Sequence, residues 1–262
     1  MPQTLEIERQ DPMATIWLNR PDRHNAFDET LIGELTDACL TLEADDSVRV
    51  LVLAGRGKSF SAGADLNWMK RAADYTVEQN LADARQLATM LRTLAQLRKP
   101  TIARVHGAAL GGGMGLAAAC DLCVASTAAS FATSEVRFGL IPATIGPYVL
   151  RAIGARQAAR YFLTAERLDA RRAWELGLVH ELTEPDTLDA RVRDIVTVLL
   201  AGGPHAQAAA KDLIRAVANQ PEDDALVEDT AQRIAHIRAT PEAREGLGAF
   251  LEKRPPNWTV EP

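Results

Sequence analysis

Cysteine is scarce in this chain: three residues in 262, Cys39, Cys120 and Cys123. Only Cys120 and Cys123 lie close together, as a C-x-x-C. A zinc site needs a second ligand pair at suitable spacing, and none is present, so no metal is expected. A redox pair opens a helix after a strand, whereas this one falls where a helix ends and a strand over Leu122–Ala125 begins. Buried structural thiols in a reducing, cytoplasmic compartment are the expectation. Positive charge is in short supply too. Against 35 Asp and Glu stand 29 Lys and Arg, a net charge of −6, which lacks the basic footprint of a general nucleic-acid binder. The longest uncharged run, Gly107–Cys120, is too short and too rich in glycine to span a bilayer, so no membrane partner is expected. No secretory signal pattern opens the chain, and no internal repeat or low-complexity tract interrupts it.

What is present is a globular composition, 47% hydrophobic and 24% charged, with enough length for one large core or one core and an appendage. Leu5–Arg9 and Ala14–Leu18 read as a strand hairpin turning at Asp11-Pro12. Asp28–Asp45 reads as a helix with Leu31, Leu35, Ala38 and Leu42 on one face and Asp28 as its cap. Val48–Ala54 reads as a buried strand. Leu81–Leu97 reads as a helix with Leu81, Ala84, Leu87, Leu91 and Leu94 on its apolar face, ended by Pro100 before a strand at Thr101–Val105. Alternating strands and helices predict βα units and a mainly parallel sheet. From about Pro204 onward only helical patterns occur, punctuated by Pro221, Pro241 and Pro255-Pro256. The predicted division is a core over residues 1–200 and a helical region over residues 201–262.

The densest information lies in Gly107–Asp121, GAALGGGMGLAAACD. Three glycines, Gly111–Gly113, separate an extended run from a helical run of small residues, Met114–Ala119. A strand, a glycine turn and a helix start expose free backbone N–H groups at the positive end of a helix dipole. The triplet is neither G-x-G-x-x-G nor G-x-x-x-x-G-K-[ST], and no lysine follows it, which favours an oxyanion over a nucleotide phosphate. A second small-residue turn, Lys58–Leu66, follows the strand at Val48–Ala54. Two such turns supply two N–H donors to one carbonyl oxygen.

These motifs identify the chain as similar to the crotonase family, the enoyl-CoA hydratase/isomerase superfamily. The resemblance rests on Asn19-Arg20-Pro21 with Asn25-Ala26, Phe60–Leu66 (FSAGADL), Lys99–Asp121, Phe131–Pro142 (FATSEVRFGLIP), Ala152-Ile153-Gly154 and Ala173–Val179 (AWELGLV), and runs from about residue 5 to about residue 255. It implies an α/β crotonase (ClpP-like) fold of stacked ββα/βαβ turns with a helical C-terminal region. It also implies an acyl-CoA thioester as substrate with no separate cofactor, and assembly as a homotrimer or homohexamer.

The resemblance carries roles onto particular residues. The amides of Ala64 and Gly112 would form the oxyanion hole, and Glu135 would be the acid/base group. Arg23, Ala62, Asp65, Leu66, Gly111, Phe250 and Lys253 would meet the substrate or its CoA, the last two from a C-terminal helix that often reaches an adjacent subunit. Asp121 matches a position of mainly structural use. One departure stands out. Hydratases of the family usually carry another glutamate where this chain has Gly115. Lacking a Cβ, Gly115 would leave room for substrate. His106 is the nearest other titratable side chain. Glu135 then works alone, or other groups hold water, or the reaction is a double-bond shift that needs none. Ser134–Pro147 (SEVRFGLIPATIGP) resembles a subset of bacterial methylglutaconyl-CoA hydratases of leucine or acyclic-terpene breakdown. Hydration of an enoyl-CoA, 3-methylglutaconyl-CoA among the candidates, is therefore expected ahead of isomerisation. A degenerate member that binds acyl-CoA without turnover is the remaining alternative.

Overall fold

A computed structural model describes residues 2–259. Strands β1 (Leu5–Gln10) and β2 (Met13–Leu18) form the expected hairpin, and helix α1 (Glu29–Glu43) follows. The Asp28 side chain caps α1 by accepting from the Leu31 N–H, and Leu31, Leu35, Ala38 and Leu42 are buried at the helical spacing read from the sequence. Strand β3 (Val50–Gly55) is buried at every residue, as an inner parallel strand covered on both faces must be. Helices α2 (Leu66–Ala72) and α3 (Val77–Gln96) come next. A capping box between Thr76 and Gln79 starts α3 four residues before the expected Leu81. Met90, Leu91 and Leu94 are its buried residues, while Leu81 is exposed, so the first turns of α3 stand clear of the core.

Strand β4 (Thr101–Val105) pairs with β3 in parallel, Leu51 opposite Thr101 and Leu53 opposite Ala103. It does not lead straight into the glycine triplet. A three-residue strand, β5 (Ala108–Leu110), intervenes before helix α4 (Gly112–Ala119). Gly107 makes this turn possible: its φ is +61°, and a Cβ there would collide with the Lys58 carbonyl. Strands β6 (Leu122–Ser126) and β7 (Ser130–Ala132), helix α5 (Gly146–Thr164), strand β8 (Leu168–Asp169), helix α6 (Ala170–Glu175), strand β9 (Glu181–Thr183) and helices α7 (Leu188–Leu200), α8 (Pro204–Val217), α9 (Asp224–Arg238) and α10 (Pro241–Glu252) complete the order. Two sheets result. One has six strands in the order β1-β2-β3-β4-β6-β9, parallel from β2 onward. The other has three, β5-β7-β8.

The chain divides into two compact units, Met1–Leu97 with Thr101–Arg193 and Arg98–Pro100 with Asp194–Pro262. The first holds the sheets and the core. Phe27, Phe60 and Phe131 are its largest fully buried side chains, each stabilising the fold by about 1.5–3 kcal/mol through burial. Asp121 fastens β4 to the end of α4: its carboxylate accepts from the Thr101 N–H (2.8 Å) and hydroxyl (2.9 Å). The three cysteines are buried thiols in no disulfide, and burial pushes Cys39 and Cys123 up to about 12. The second unit is helical. Glu242, in the first turn of α10, accepts from the N–H groups of His205 (3.0 Å) and Ala206 (2.8 Å) at the start of α8, and Trp258 Nε1 donates to the Ala201 carbonyl. Among the described residues, no helix is long and apolar enough to cross a membrane.

Candidate active site

Three chain segments meet at the expected site, sewn together through the backbone. Phe60 N–H donates to His106 O, Ser61 N–H to Ala108 O and Leu110 N–H to Ser61 O, joining the first glycine turn to the second. Ser130 N–H donates to Gly107 O and Gly111 N–H to Ala132 O at 2.7 Å, joining the second to the segment that carries Glu135. The first turn is also fixed from below, where Phe27 N–H donates to Gly63 O and Asp65 N–H to Phe27 O. After this lacing, the N–H groups of Ala64 and Gly112 are left over. Among the described residues neither has an acceptor. A Cβ on Gly63 would lie 3.6 Å from the Gly112 nitrogen, so the two turns touch where the free amides are. The second amide is exposed because Gly112 opens α4, and helix-opening N–H groups have no intrahelical partner. Phe27 packs against Gly112 so closely that a Cβ there would lie 2.9 Å from Phe27 Cζ.

Glu135 opens a single 3-10 turn, Glu135–Phe138, just after β7. Leu140 N–H returns to the Glu135 carbonyl at 3.1 Å, and Thr133 is tied to the Tyr161 carbonyl, so the segment is anchored on both sides. The carboxylate comes to Gly111: a Cβ on that glycine would lie 3.2 Å from Glu135 Oε1 and 4.0 Å from Gly63 Cα. Oε2 is buried and, among the described residues, has no hydrogen-bond partner. Burial, offset only in part by a backbone hydrogen bond, raises the Glu135 pKa above the ordinary 4.5. Exposed Phe138, Leu140 and Ile141 follow directly. A half-buried carboxylate with one oxygen unpaired among the described residues, beside two unused amide donors, can move a proton next to a bound carbonyl.

Other expected residues stand differently. Gly111 spends its own N–H on Ala132, so what it contributes is close approach at φ +50°, not a donor. Gly115 does not open onto free space as expected. Ile145 fills the room, and a Cβ on Gly115 would lie 2.7 Å from Ile145 Cβ and closer still to Cγ2. The sequence reasoning missed Ile145; the signal was there in the A-T-I-G-P stretch, thirty positions from the glycine it packs on. The Asp65 side chain is engaged within the fold. It is buried, caps α2 through the Asn67 (2.8 Å) and Trp68 (3.4 Å) N–H groups, and pairs with Arg20 at 3.1 Å and Arg23 at 3.2 Å. Burial alone would raise its pKa, but those N–H groups and guanidiniums together hold it below the ordinary 3.8. Ala62 spends its N–H on the His24 carbonyl, and among the described residues nothing donates to its own carbonyl. Leu66 and the half-exposed Arg23 face outward from the same turn region. Phe250 and Lys253 lie at the end of α10 in the second unit, both exposed. His106 is committed elsewhere: Nε2 donates to the Gly57 carbonyl and Nδ1 accepts from Arg104, and burial lowers its pKa.

Comparison with known proteins fits this geometry. The enoyl-CoA hydratase/isomerase family profile matches residues 8–261. The crystal structure of an enoyl-CoA hydratase from Shewanella pealeana matches with a TM-score of 0.96 at 44% identity, over 98% of this chain and 97% of that one. The crotonyl-CoA hydratase of Syntrophomonas wolfei is 33% identical over 267 aligned positions, 98% of each chain. The trans-2-decenoyl-acyl-carrier-protein isomerase of Streptococcus mutans is 33% identical over 251, 94% of each. Hydratases and an isomerase thus share this architecture, and the chain belongs to the enoyl-CoA hydratase/isomerase family, the crotonase superfamily.

Proposed function

We propose that this protein hydrates a 2-enoyl-CoA thioester with Glu135 as its single acid/base group. The observation that carries this is the buried, unpartnered Oε2 of a carboxylate seated against Gly111, next to the free amide of Gly112. The thioester oxygen accepts from the Ala64 and Gly112 N–H groups, which form an oxyanion hole for the enolate; each donor is worth about 3–4 kcal/mol in the transition state. Water adds through oxygen to C3 and gives one proton to Glu135. The same carboxyl returns that proton to C2 as the enolate collapses. One C–O and one C–H bond form, the double bond is consumed, and the carboxylate is regenerated. A carboxyl with a raised pKa suits both halves of the step. Arg23 stands at the CoA phosphates, and a homotrimer or homohexamer in which Phe250 and Lys253 complete a neighbouring site belongs to the same reading.

A second reading, isomerisation, is favoured by Ile145. Hydrocarbon fills the space beside Gly115, so nothing there helps hold water. Glu135 would then take a proton from C2 of a 3-enoyl-CoA and return it at C4. Incubation with a 2-enoyl-CoA, a 3-enoyl-CoA and 3-methylglutaconyl-CoA in oxygen-18 water separates the cases. Hydration puts the label on C3 of a hydroxyacyl product. Isomerisation gives unlabelled 2-enoyl-CoA. Binding with no product from any of the three would leave an acyl-CoA-binding protein without turnover and sink both readings.

A further inference from the structure

Gly115 sits one turn after Gly111 on α4, donating its N–H to the Gly111 carbonyl at 3.1 Å. Residues four apart share a helix face, and side chains lean toward the N-terminus. A side chain at position 115 would therefore extend over Gly111, toward the place where Glu135 Oε1 rests. Ile145 fills the start of that path, against Gly115 itself. Its Cγ2 lies too close to the position a Gly115 Cβ would take for both to be present, and the residue is 2% exposed. The Ile145 carbonyl accepts from the Tyr148 and Val149 N–H groups, both at 3.1 Å, at the start of α5. A β-branched side chain so anchored has little freedom at χ1. The segment that delivers Glu135 thus also delivers, ten residues on, the hydrocarbon that packs one helical turn away from it.

We propose that Ile145 is a specificity-determining residue of the site. Wedged into the gap at Gly115, it walls the acyl space beside Glu135 with hydrocarbon and keeps a second polar group out. The substrate class this fits is an enoyl thioester that presents an alkyl surface, not a polar substituent, to that wall. The inference rests on Glu135 being the acid/base group. Four variants test it: Gly115→Ala, Ile145→Val, Ile145→Ala and the double Gly115→Ala/Ile145→Ala. Each is examined by thermal unfolding and by steady-state kinetics on a short straight-chain and a bulkier 2-enoyl-CoA. Gly115→Ala is expected to lower Tm in the wild-type background and to be tolerated once Ile145 is truncated, a coupling that only a shared space produces. Ile145→Ala is expected to raise the kcat/KM ratio of bulky over short substrate by about tenfold or more, and Ile145→Val by less. Gly115→Ala at wild-type Tm would remove the wedge. An active Ile145→Ala protein with kcat/KM lowered equally for both substrates would make Ile145 merely structural. A wild-type protein that turns over neither thioester would overturn the functional reading, and the role of Ile145 with it, whatever the Tm cycle returns.

Discussion

Asp65 and Glu135 are both acidic residues set beside the glycine turns, yet they face opposite electrostatic problems. Asp65 is the more deeply buried, and it is the one whose pKa is lowered. Glu135 keeps more exposure, and its pKa is raised. Surface exposure alone therefore does not decide the outcome: burial sets it at Glu135, and partners override burial at Asp65. Asp65 accepts two backbone N–H groups at the start of α2 and meets two guanidiniums, so its charge is matched on every side. Glu135 has one oxygen against a glycine and the other buried without a hydrogen-bond partner among the described residues. A fully satisfied carboxylate is a fastener, since moving its proton would undo the local structure. An unsatisfied one is a carboxylate whose proton costs little to move.

Breaking the two carboxylates in turn should separate those roles. Glu135→Gln is expected to keep substrate binding and to lose about 10²–10⁴ in turnover, with the melting temperature held or raised. Near-wild-type rates on the true substrate would take Glu135 out of the mechanism. Asp65→Ala should do the reverse. Loss of a cap and of one partner of a partly buried ion-pair cluster costs about 2–4 kcal/mol of stability, while Arg20 keeps a second partner, Asp28, at 2.8 Å. Urea unfolding measures this. Asp65→Asn, which can still cap the helix, should fall between. If Asp65→Ala unfolded at the wild-type denaturant midpoint, the view of Asp65 as a fastener would be wrong.

Acidity sharpens the same contrast. In the unfolded chain Glu135 ionises near its ordinary 4.5, and in the folded protein it does so higher. Above both values the ionised, poorly solvated form lowers stability, so Glu135→Gln should be more stable than wild type at neutral pH. That advantage should shrink as pH falls through the raised folded value. For Asp65 the sign is opposite. Its contribution is present above the unfolded value of 3.8 and is lost as pH falls through the lower folded one, so the deficit of Asp65→Asn should close only in strong acid. The acid limb of the kcat/KM profile should likewise lie above 4.5 and report Glu135. A pair of variants whose gaps to wild type did not change with pH would mean that neither carboxylate is perturbed.

Much of this arrangement is legible in the sequence, and the rest is hidden for physical reasons. Helix α1 has a clear 3.6-residue period and β1 alternates, while β3 and β4 are short apolar runs bounded by glycine or proline, and the pairing of β3 with β4 follows from consecutive βαβ units. Strands β5, β7 and β8 are two or three residues long, too short for any periodicity, and their partners are set by the spiral path of the chain. The start of α3 carries no apolar period because its first turns are held by a capping box and not by burial. Free amides at Ala64 and Gly112 were predictable from turn chemistry and resemblance. The occupancy of the space at Gly115 was not: a missing Cβ looks the same in sequence whether it leaves a pocket or receives an isoleucine. Nor does a buried aspartate differ, as a letter, from an exposed one.

The smallest expected effect lies at the edge of the Asp65 cluster. Arg20 and Arg23 both meet the same Asp65 oxygen, but their side chains are 13% and 52% exposed, respectively. Arg20 also donates to the Ala26 carbonyl and so is held on three sides. Among the described residues Arg23 has a single polar contact, at 3.2 Å. An ion pair that exposed contributes at most about 1 kcal/mol to stability, so Arg23→Ala should melt close to wild type, whereas Arg20→Ala should not. If Arg23 meets the phosphates of CoA, its loss removes binding shared by ground and transition states. KM should then rise about three- to tenfold with kcat unchanged. The wild-type KM should also rise with salt as the charge is screened over a Debye length of about 8 Å, and the KM of Arg23→Ala should rise less. A substrate truncated to the pantetheine thioester, which lacks the nucleotide phosphates, should show no difference between the two proteins. An equal loss on both substrates would return Arg23 to the fold, as a partner of Asp65 and nothing more.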